Sequence, residues 1–460
     1  MRARGPGLPR AVTAGDRLAS DPGTAALAKV RRHLVVFLGA LYFAAFIDRV
    51  NVGFAAQQMH RDLGFSASVY GFGAGIFFIG YCLFEIPSNL ILHRIGARRW
   101  IGRIMVSWAL LAGGMVFVRG AGGFYALRFV LGVAEAGFFP GVIYYLTYWV
   151  PAAERARLVG TFMTAIPVST ALAGPVSAAI LGLDGRLGLA GWQWLFLTET
   201  VPSLLLGLVT LRTLPDTPAE ARWLTPAERD WLAARLAIDA EPQREPHAKR
   251  VIEALIHPRV LALSLAYFGA DLGLYGIILW VPQIFTSAGV PESAVGYLVA
   301  VPYALAAATM VYWCRRSDRS GERVWHIACA SLVGFTGIAL SAALRTSPAL
   351  SVLAVTAGAA GTLAMLPIFW TLPAGLLRGA PAAGAIALIN AIGNIGGFVG
   401  PFAMGWIRDA TGSFTWGLIV VAAGILLTGV IAVLVGSDAR LEPAAEPCAP
   451  SAQDRQAQIN

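Results

Sequence analysis

Apolar runs separated by short polar breaks recur along almost the whole chain. Twelve can be delimited, at 34–57, 68–92, 100–118, 123–149, 157–183 and 193–213, then at 258–286, 295–314, 324–344, 349–371, 382–407 and 413–436. A helix rises ~1.5 Å per residue, so ~20 apolar residues cross the ~30 Å hydrocarbon core of a bilayer. Several runs are longer, which permits tilt without fixing it. The pattern predicts an all-α membrane protein of twelve transmembrane helices in two pseudo-symmetric six-helix bundles, 33–213 and 258–436. Between them, 214–257 reads as a cytoplasmic linker. Its Thr225-Pro226-Ala227-Glu228 is a capping box with Pro at the first helical position, and the WLAARLA pattern that follows suits a short amphipathic helix. The polar ends, 1–32 and 437–460, read as cytoplasmic tails, the first of them disordered; it lacks the order of a signal peptide.

Composition agrees with this reading. The 460 residues are 57% hydrophobic and 13% charged, with a mean hydropathy of +0.65, against roughly one-quarter charged in soluble domains. A net charge of +9 invites a nucleic-acid reading, but the basic residues are distributed by side. With the N-terminus inside, 28 of the 35 lysines and arginines fall in cytoplasmic tails and loops. Five fall outside (Arg61, Arg119, Arg186, Arg345, Arg408), and Arg49 and Arg128 fall within helices. That bias sets both termini in the cytoplasm and explains the basic balance without nucleic acid. Cys82, Cys314, Cys329 and Cys448 form no CxxC pair, so neither a disulfide framework nor a zinc site is expected.

The halves echo each other. His93-Arg94-Ile95-Gly96-Ala97-Arg98-Arg99 follows the second run and Asp318-Arg319-Ser320-Gly321-Glu322-Arg323 the eighth; Ala173-Gly174-Pro175 in the fifth matches Val399-Gly400-Pro401 in the eleventh. Repeats at equivalent places in two halves are a mark of transporters. Along essentially its whole membrane span the chain resembles the major facilitator superfamily, through those basic loops and Arg128-x-x-x-Gly132. More narrowly it resembles the anion:cation symporter family. The stretches that carry this are Asp48-Arg49-Val50-Asn51-Val52, GYCLFEIPSNLIL (80–92), RFVLGVAEAGFFPG (128–141), GWQWLFLTE (191–199), ARWLTPAERDWL (221–232), PIFWTLP (367–373) and ALINAIGNIGGFVGP (387–401). The bacterial tartrate/phthalate-like permeases look most similar. Three departures stand out: His93 where the loop signature usually has an acid, Phe46 where Tyr is frequent, and an extra acid, Asp271.

A charge at the bilayer centre costs at least ~2.5–3.5 kcal/mol, so it seldom faces lipid and usually marks a pathway. Arg49 stays protonated, and its planar fork matches a carboxylate. It is the expected substrate anchor; the alternative is a permanent pair with a neighbouring acid. Asp48 is ~100° away around the helix and is read as a proton carrier, or as a static counter-ion. Arg128 and Glu135 lie seven apart, two turns, on one helix face. The resemblance implies that Glu135 couples protons and that Arg128 links it to the substrate. It also implies substrate contacts for Tyr81, Trp370 and Thr371. Asn390 and Asn394 are one turn apart in a Gly-rich stretch, and one of them is expected to read substrate oxygens. Asp271 and Gln283 are possible additional site residues, with Tyr275 a weaker one. Glu85 and Glu199 are read as loop anchors, and His93 as solvated.

No GxxxxGK[ST], HExxH or GxSxG occurs, so ATP-driven pumping and hydrolysis have no evident home. The expected function is proton-coupled uptake of a small carboxylate (a tartrate-like diacid, a sugar acid or an aromatic acid) across the cytoplasmic membrane by alternating access, as a monomer without cofactor or metal. An exchanger or exporter of the same fold is the alternative within transport. An intramembrane enzyme using Asp48, Glu135 and Asp271, or a plain scaffold, stands further off.

Overall fold

The computed structural model describes residues 22–151, 154, 158, 162–239, 255–344, 346–376 and 380–441. Among the described residues the predicted twelve helices are present. Helix 1 is Val36–Leu63, helix 2 Ala67–Ile95, helix 3 Ala97–Gly114, helix 5 Ala165–Leu181 and helix 6 Gly191–Thr213. Helix 8 is Glu292–Ser320, helix 9 Val324–Ala343, helix 11 Ala380–Thr411 and helix 12 Thr415–Leu441. Three are broken: helix 4 into Ala121–Glu135 and Phe138–Thr147, helix 7 into Pro258–Ile278 and Val281–Ser287, and helix 10 into Pro348–Phe369 and Thr371–Leu376. Among the described residues eleven spans are long and apolar enough to cross a membrane, and helix 5 is the shorter twelfth. Leucines such as Leu83, Leu90, Leu205, Leu353 and Leu434 stay exposed on the outer surface of the bundles, as a lipid-facing belt requires.

Each break follows from local sequence. Pro140, Pro282 and Pro373 lie within four residues of the three interruptions, and a proline cannot donate the i→i−4 bond. In helix 4 the chain turns through Gly137, whose φ of 81° suits glycine. The carbonyl that Pro140 leaves free, Ala136 O, accepts from Ser88 Oγ at 2.6 Å, and that hydroxyl accepts from Trp100 Nε1 at 2.9 Å. The interruption is therefore satisfied by its neighbours, as buried backbone must be in lipid.

The amino-terminal tail needs correction. Residues 22–32, expected to be disordered, are helical: Pro22–Val30 runs through a widened turn, Arg31–Val35, into helix 1. The reason is docking. Ala26 and Val30 are fully buried, Gly23 lies against the Trp231 ring, and Lys29 Nζ donates to Glu228 Oε2 at 2.8 Å. The partner is the linker helix, Pro226–Asp239, with its capping box formed: Thr225 N donates to Glu228 Oε2 at 2.8 Å and Glu228 N to Thr225 Oγ1 at 3.4 Å. Residues 1–21, 240–254 and 442–460, which include parts of both expected tails and of the linker, lie outside the described residues.

The two bundles meet along small residues, which let backbones approach closely. A Cβ on Gly71 would lie 2.4 Å from Pro401 O, one on Gly405 2.2 Å from Ala67 O, and one on Gly174 2.2 Å from Gly296 O. These contacts sit toward the face opposite the linker, called here the loop face; the other is the linker face. Polar ties reinforce the same side. Asp409 accepts from Ala67 N at 3.1 Å and Ser68 N at 2.7 Å, Tyr70 OH donates to Leu279 O at 2.8 Å, and Thr286 Oγ1 donates to Gln57 Oε1 at 3.2 Å. The bundles are thus sealed at the loop face.

Candidate functional site

Beneath that seal lies a cavity of about 80 Å3 between the bundles. On the same measure one water needs ~10–15 Å3, so the space holds several waters or one small molecule. Its charged wall is Arg49 of helix 1. Arg49 Nη2 donates to Glu135 Oε1 across the gap to helix 4, and Nη1 donates to the Tyr275 hydroxyl of helix 7 at 3.1 Å. Glu135 closes the first segment of helix 4, where carbonyls present the negative end of the helix dipole. A carboxylate there depends on a cation, and Arg49 supplies it.

Three rings surround the guanidinium carbon, Phe77 at 5.1 Å, Tyr81 at 5.5 Å and Phe46 at 5.7 Å, each within cation–π range. Their electron-rich faces hold the charge in place without neutralising it. Among the described residues Arg49 Nε has no hydrogen-bond partner, and the five donors of this guanidinium meet two acceptors. The ion pair is real, yet it leaves Arg49 under-satisfied and on the cavity wall.

The opposite wall comes from helices 7, 10 and 11. Tyr267, Asp271 and Tyr275 follow one another at four-residue spacing on one face of helix 7 and all line the cavity. Trp370 stands at the break of helix 10, edge-on to Tyr267 with centroids 4.7 Å apart. Asn390 and Asn394 line the cavity from helix 11, but their amides are turned to Glu85 of helix 2, at 2.7 Å to Oε1 and 3.5 Å to Oε2. Glu85, expected to be a loop anchor, is instead a buried bridge between the bundles.

Other predicted residues lie elsewhere. Asp48 faces the interior of the first bundle, where Trp108 Nε1 donates to Oδ2 at 2.7 Å and Ser203 Oγ at 2.6 Å; its Oδ1 has no partner among the described residues. The ~100° offset from Arg49 carries it there. Arg128 is 1% exposed and donates to the carbonyls of Gly73 and Ala74 at 3.3 and 3.1 Å, tying helix 4 to helix 2, away from the cavity lining. Thr371 Oγ1 donates to Ile368 O at 2.7 Å, within its own helix. Gln283 accepts from Arg408 at 3.3 Å near the loop face. Glu199, also read as a loop anchor, is buried beside Ser177 Oγ at 3.5 Å in the first bundle. The site residues that sequence reasoning missed, Tyr42 and Tyr267, carry ring stacks and no charge; the helix-7 spacing was the available signal for Tyr267.

This arrangement is a broken-helix cavity with one arginine between two pseudo-symmetric bundles. The sequence profile of the Major Facilitator Superfamily matches residues 38–289 and 263–456. The chain belongs to the major facilitator superfamily. Within it, the chain is 49% identical over 85% of its length, and 90% of the relative's, to a protein named "Putative tartrate transporter" from Agrobacterium vitis. It is 42% identical over 82% of its length, and 87% of the relative's, to a "Quinolone resistance transporter" from Acinetobacter baumannii. Among solved structures it is similar to a bacterial homologue of the human lysosomal transporter Spinster in an inward-facing, unoccupied conformation. That match has a TM-score of 0.72 and 18% identity and covers 90% of this chain and 99% of that one. The superfamily fold and a transporter's role, not an enzyme's, follow. The relatives accord with the anion:cation symporter resemblance read from the motifs.

Proposed function

We propose that this transporter carries a small organic anion, of the tartrate-like carboxylate class, in symport with protons, and that Arg49 is its substrate anchor. The observation that carries the reading is that Arg49 lines the central cavity while holding a resident carboxylate, Glu135. An arriving carboxylate and Glu135 compete for one guanidinium. A proton on Glu135 removes the competitor, so substrate binding and proton binding favour each other. With the linker and termini in the cytoplasm, as the arginine distribution implies, the loop-face seal closes the cavity on the outer side of the membrane. The relative named for tartrate supports the substrate class. Asp48, outside the cavity, takes at most an indirect part in coupling.

Proteoliposomes test this reading. An inward proton gradient should drive accumulation of labelled tartrate, and its collapse should stop it. Uptake that needs internal substrate and ignores the gradient would show an exchanger. Proton-driven extrusion would show an exporter, the reading that the quinolone-resistance relative favours.

A further inference from the structure

The cavity holds an acid that the ion pair does not use. Asp271 is 4% exposed, and the cavity is the space it faces. Among the described residues it makes no hydrogen bond and no salt bridge, although Tyr267 and Tyr275 lie one turn to either side. On the helix-11 side Gly393 packs close to it and brings no side chain of its own. A Cβ on Gly393 would come within 3.1 Å of Asp271 Oδ2 and 2.1 Å of the Tyr267 ring. Among the described residues no side-chain donor of helix 11 is bonded to the carboxylate, and the amides of Asn390 and Asn394 are turned to Glu85.

A buried carboxylate without donors is costly unless something arrives to satisfy it. Ionised, it only accepts, so its partner must bring a donor. Tyr275, one turn along the helix, already touches Arg49 at 3.1 Å. Residues one turn apart are ~5–6 Å neighbours on a helix face, so Asp271 lies beside the residue that touches Arg49, and both it and Arg49 line the one small cavity. A substrate ammonium at Asp271 would bring a second positive charge into the small cavity that the Arg49 guanidinium already lines. A hydroxyl supplies the donor without the charge. It also matches the reach of an acid whose carboxylate rests on Arg49 and whose next carbons bear oxygen.

We infer that Asp271 is a specificity-determining residue, accepting hydrogen bonds from substrate hydroxyl groups, and that the cavity selects hydroxylated carboxylates over their deoxy counterparts. This rests on the carboxylate reading of Arg49 and narrows it. A site built to bond a hydroxyl rejects the analogue lacking it more strongly than an apolar pocket rejects a missing methylene. Across bonds to a charged acceptor the expected preference is about tenfold to a hundredfold.

The test is calorimetric binding to the purified protein of tartrate, succinate and aspartate, which bear two hydroxyls, none, and an ammonium. Wild type should bind tartrate at least about tenfold more tightly than succinate. Asp271→Ala should bring tartrate to the succinate level while leaving succinate within about threefold. Asp271→Asn keeps the shape and an acceptor oxygen, so it should fall between and guards against a folding defect in the alanine variant. A tartrate preference that survives in both variants, or wild type binding aspartate best, overturns the inference while leaving Arg49 as anchor. Failure of wild type to bind any of the three overturns the carboxylate reading and this inference with it.

Discussion

Replacing Glu135 by Gln removes a charge and a proton site while keeping volume and an acceptor oxygen. In the structure Glu135 is 2% exposed and is the carboxylate on Arg49. A hydrogen bond to a charged group is worth about 1.5–3 kcal/mol net. If that is what the substrate must displace, removing it strengthens substrate binding by roughly ten- to a hundredfold, at ~1.4 kcal/mol per tenfold. The empty variant pays for this, because breaking a buried pair costs about 3–5 kcal/mol when one charge is left alone. Glu135→Gln should therefore melt lower than wild type without substrate and show a larger rise in Tm when tartrate is added. In proteoliposomes it should exchange substrate but fail to accumulate it against a proton gradient. Weaker tartrate binding together with undiminished accumulation would refute the competition between Glu135 and substrate.

Arg49→Lys keeps the charge but loses the fork and the second donor that reaches Tyr275; tartrate uptake should fall at least about tenfold with little change in Tm, and normal uptake would remove Arg49 as anchor. Gly405→Leu would press a side chain into Ala67 O, 2.2 Å from its Cβ, and should part the loop-face seam. In that variant a cysteine placed at Gln57 should react faster with an impermeant maleimide; an unchanged rate contradicts the sealed state. The tie between Lys29 and Glu228 is pH-sensitive. Burial works against ionising Glu228, but the Lys29 ammonium and the Thr225 donors outweigh it and hold the carboxyl below its usual range. Its contribution is thus present at neutral pH and lost as pH falls through that lowered value. Lys29→Met should cost about 0.2–1 kcal/mol at pH 7, a gap in Tm that closes in acid; a gap independent of pH would assign it to packing.

The sequence was most legible where physics leaves few choices. Spans of apolar residues and the arginine distribution gave the twelve helices, and the intramembrane charges pointed to Arg49 and Glu135, which the fold sets together 86 positions apart in sequence. Helix periodicity also foretold that Asp48 and Arg49 would diverge. What it could not give was partnership between bundles. Glu85 looks like a residue near a helix end until helix 11 brings Asn390 against it, and Arg128 looks like a site arginine until its donors are found on helix-2 carbonyls. The leading helix was missed because Gly, Pro and Arg mark 1–32 as polar, whereas its few apolar residues suffice once Trp231 is there to cover them.

Coupled transport turns on Arg49 exchanging a resident carboxylate for the substrate's. Proton uptake on binding measures that exchange, from calorimetric titrations of tartrate in buffers of different ionisation enthalpy near neutral pH. Wild type should take up about one proton per substrate bound, and Glu135→Gln about none. Equal proton uptake in the two proteins, or none in wild type, would contradict it.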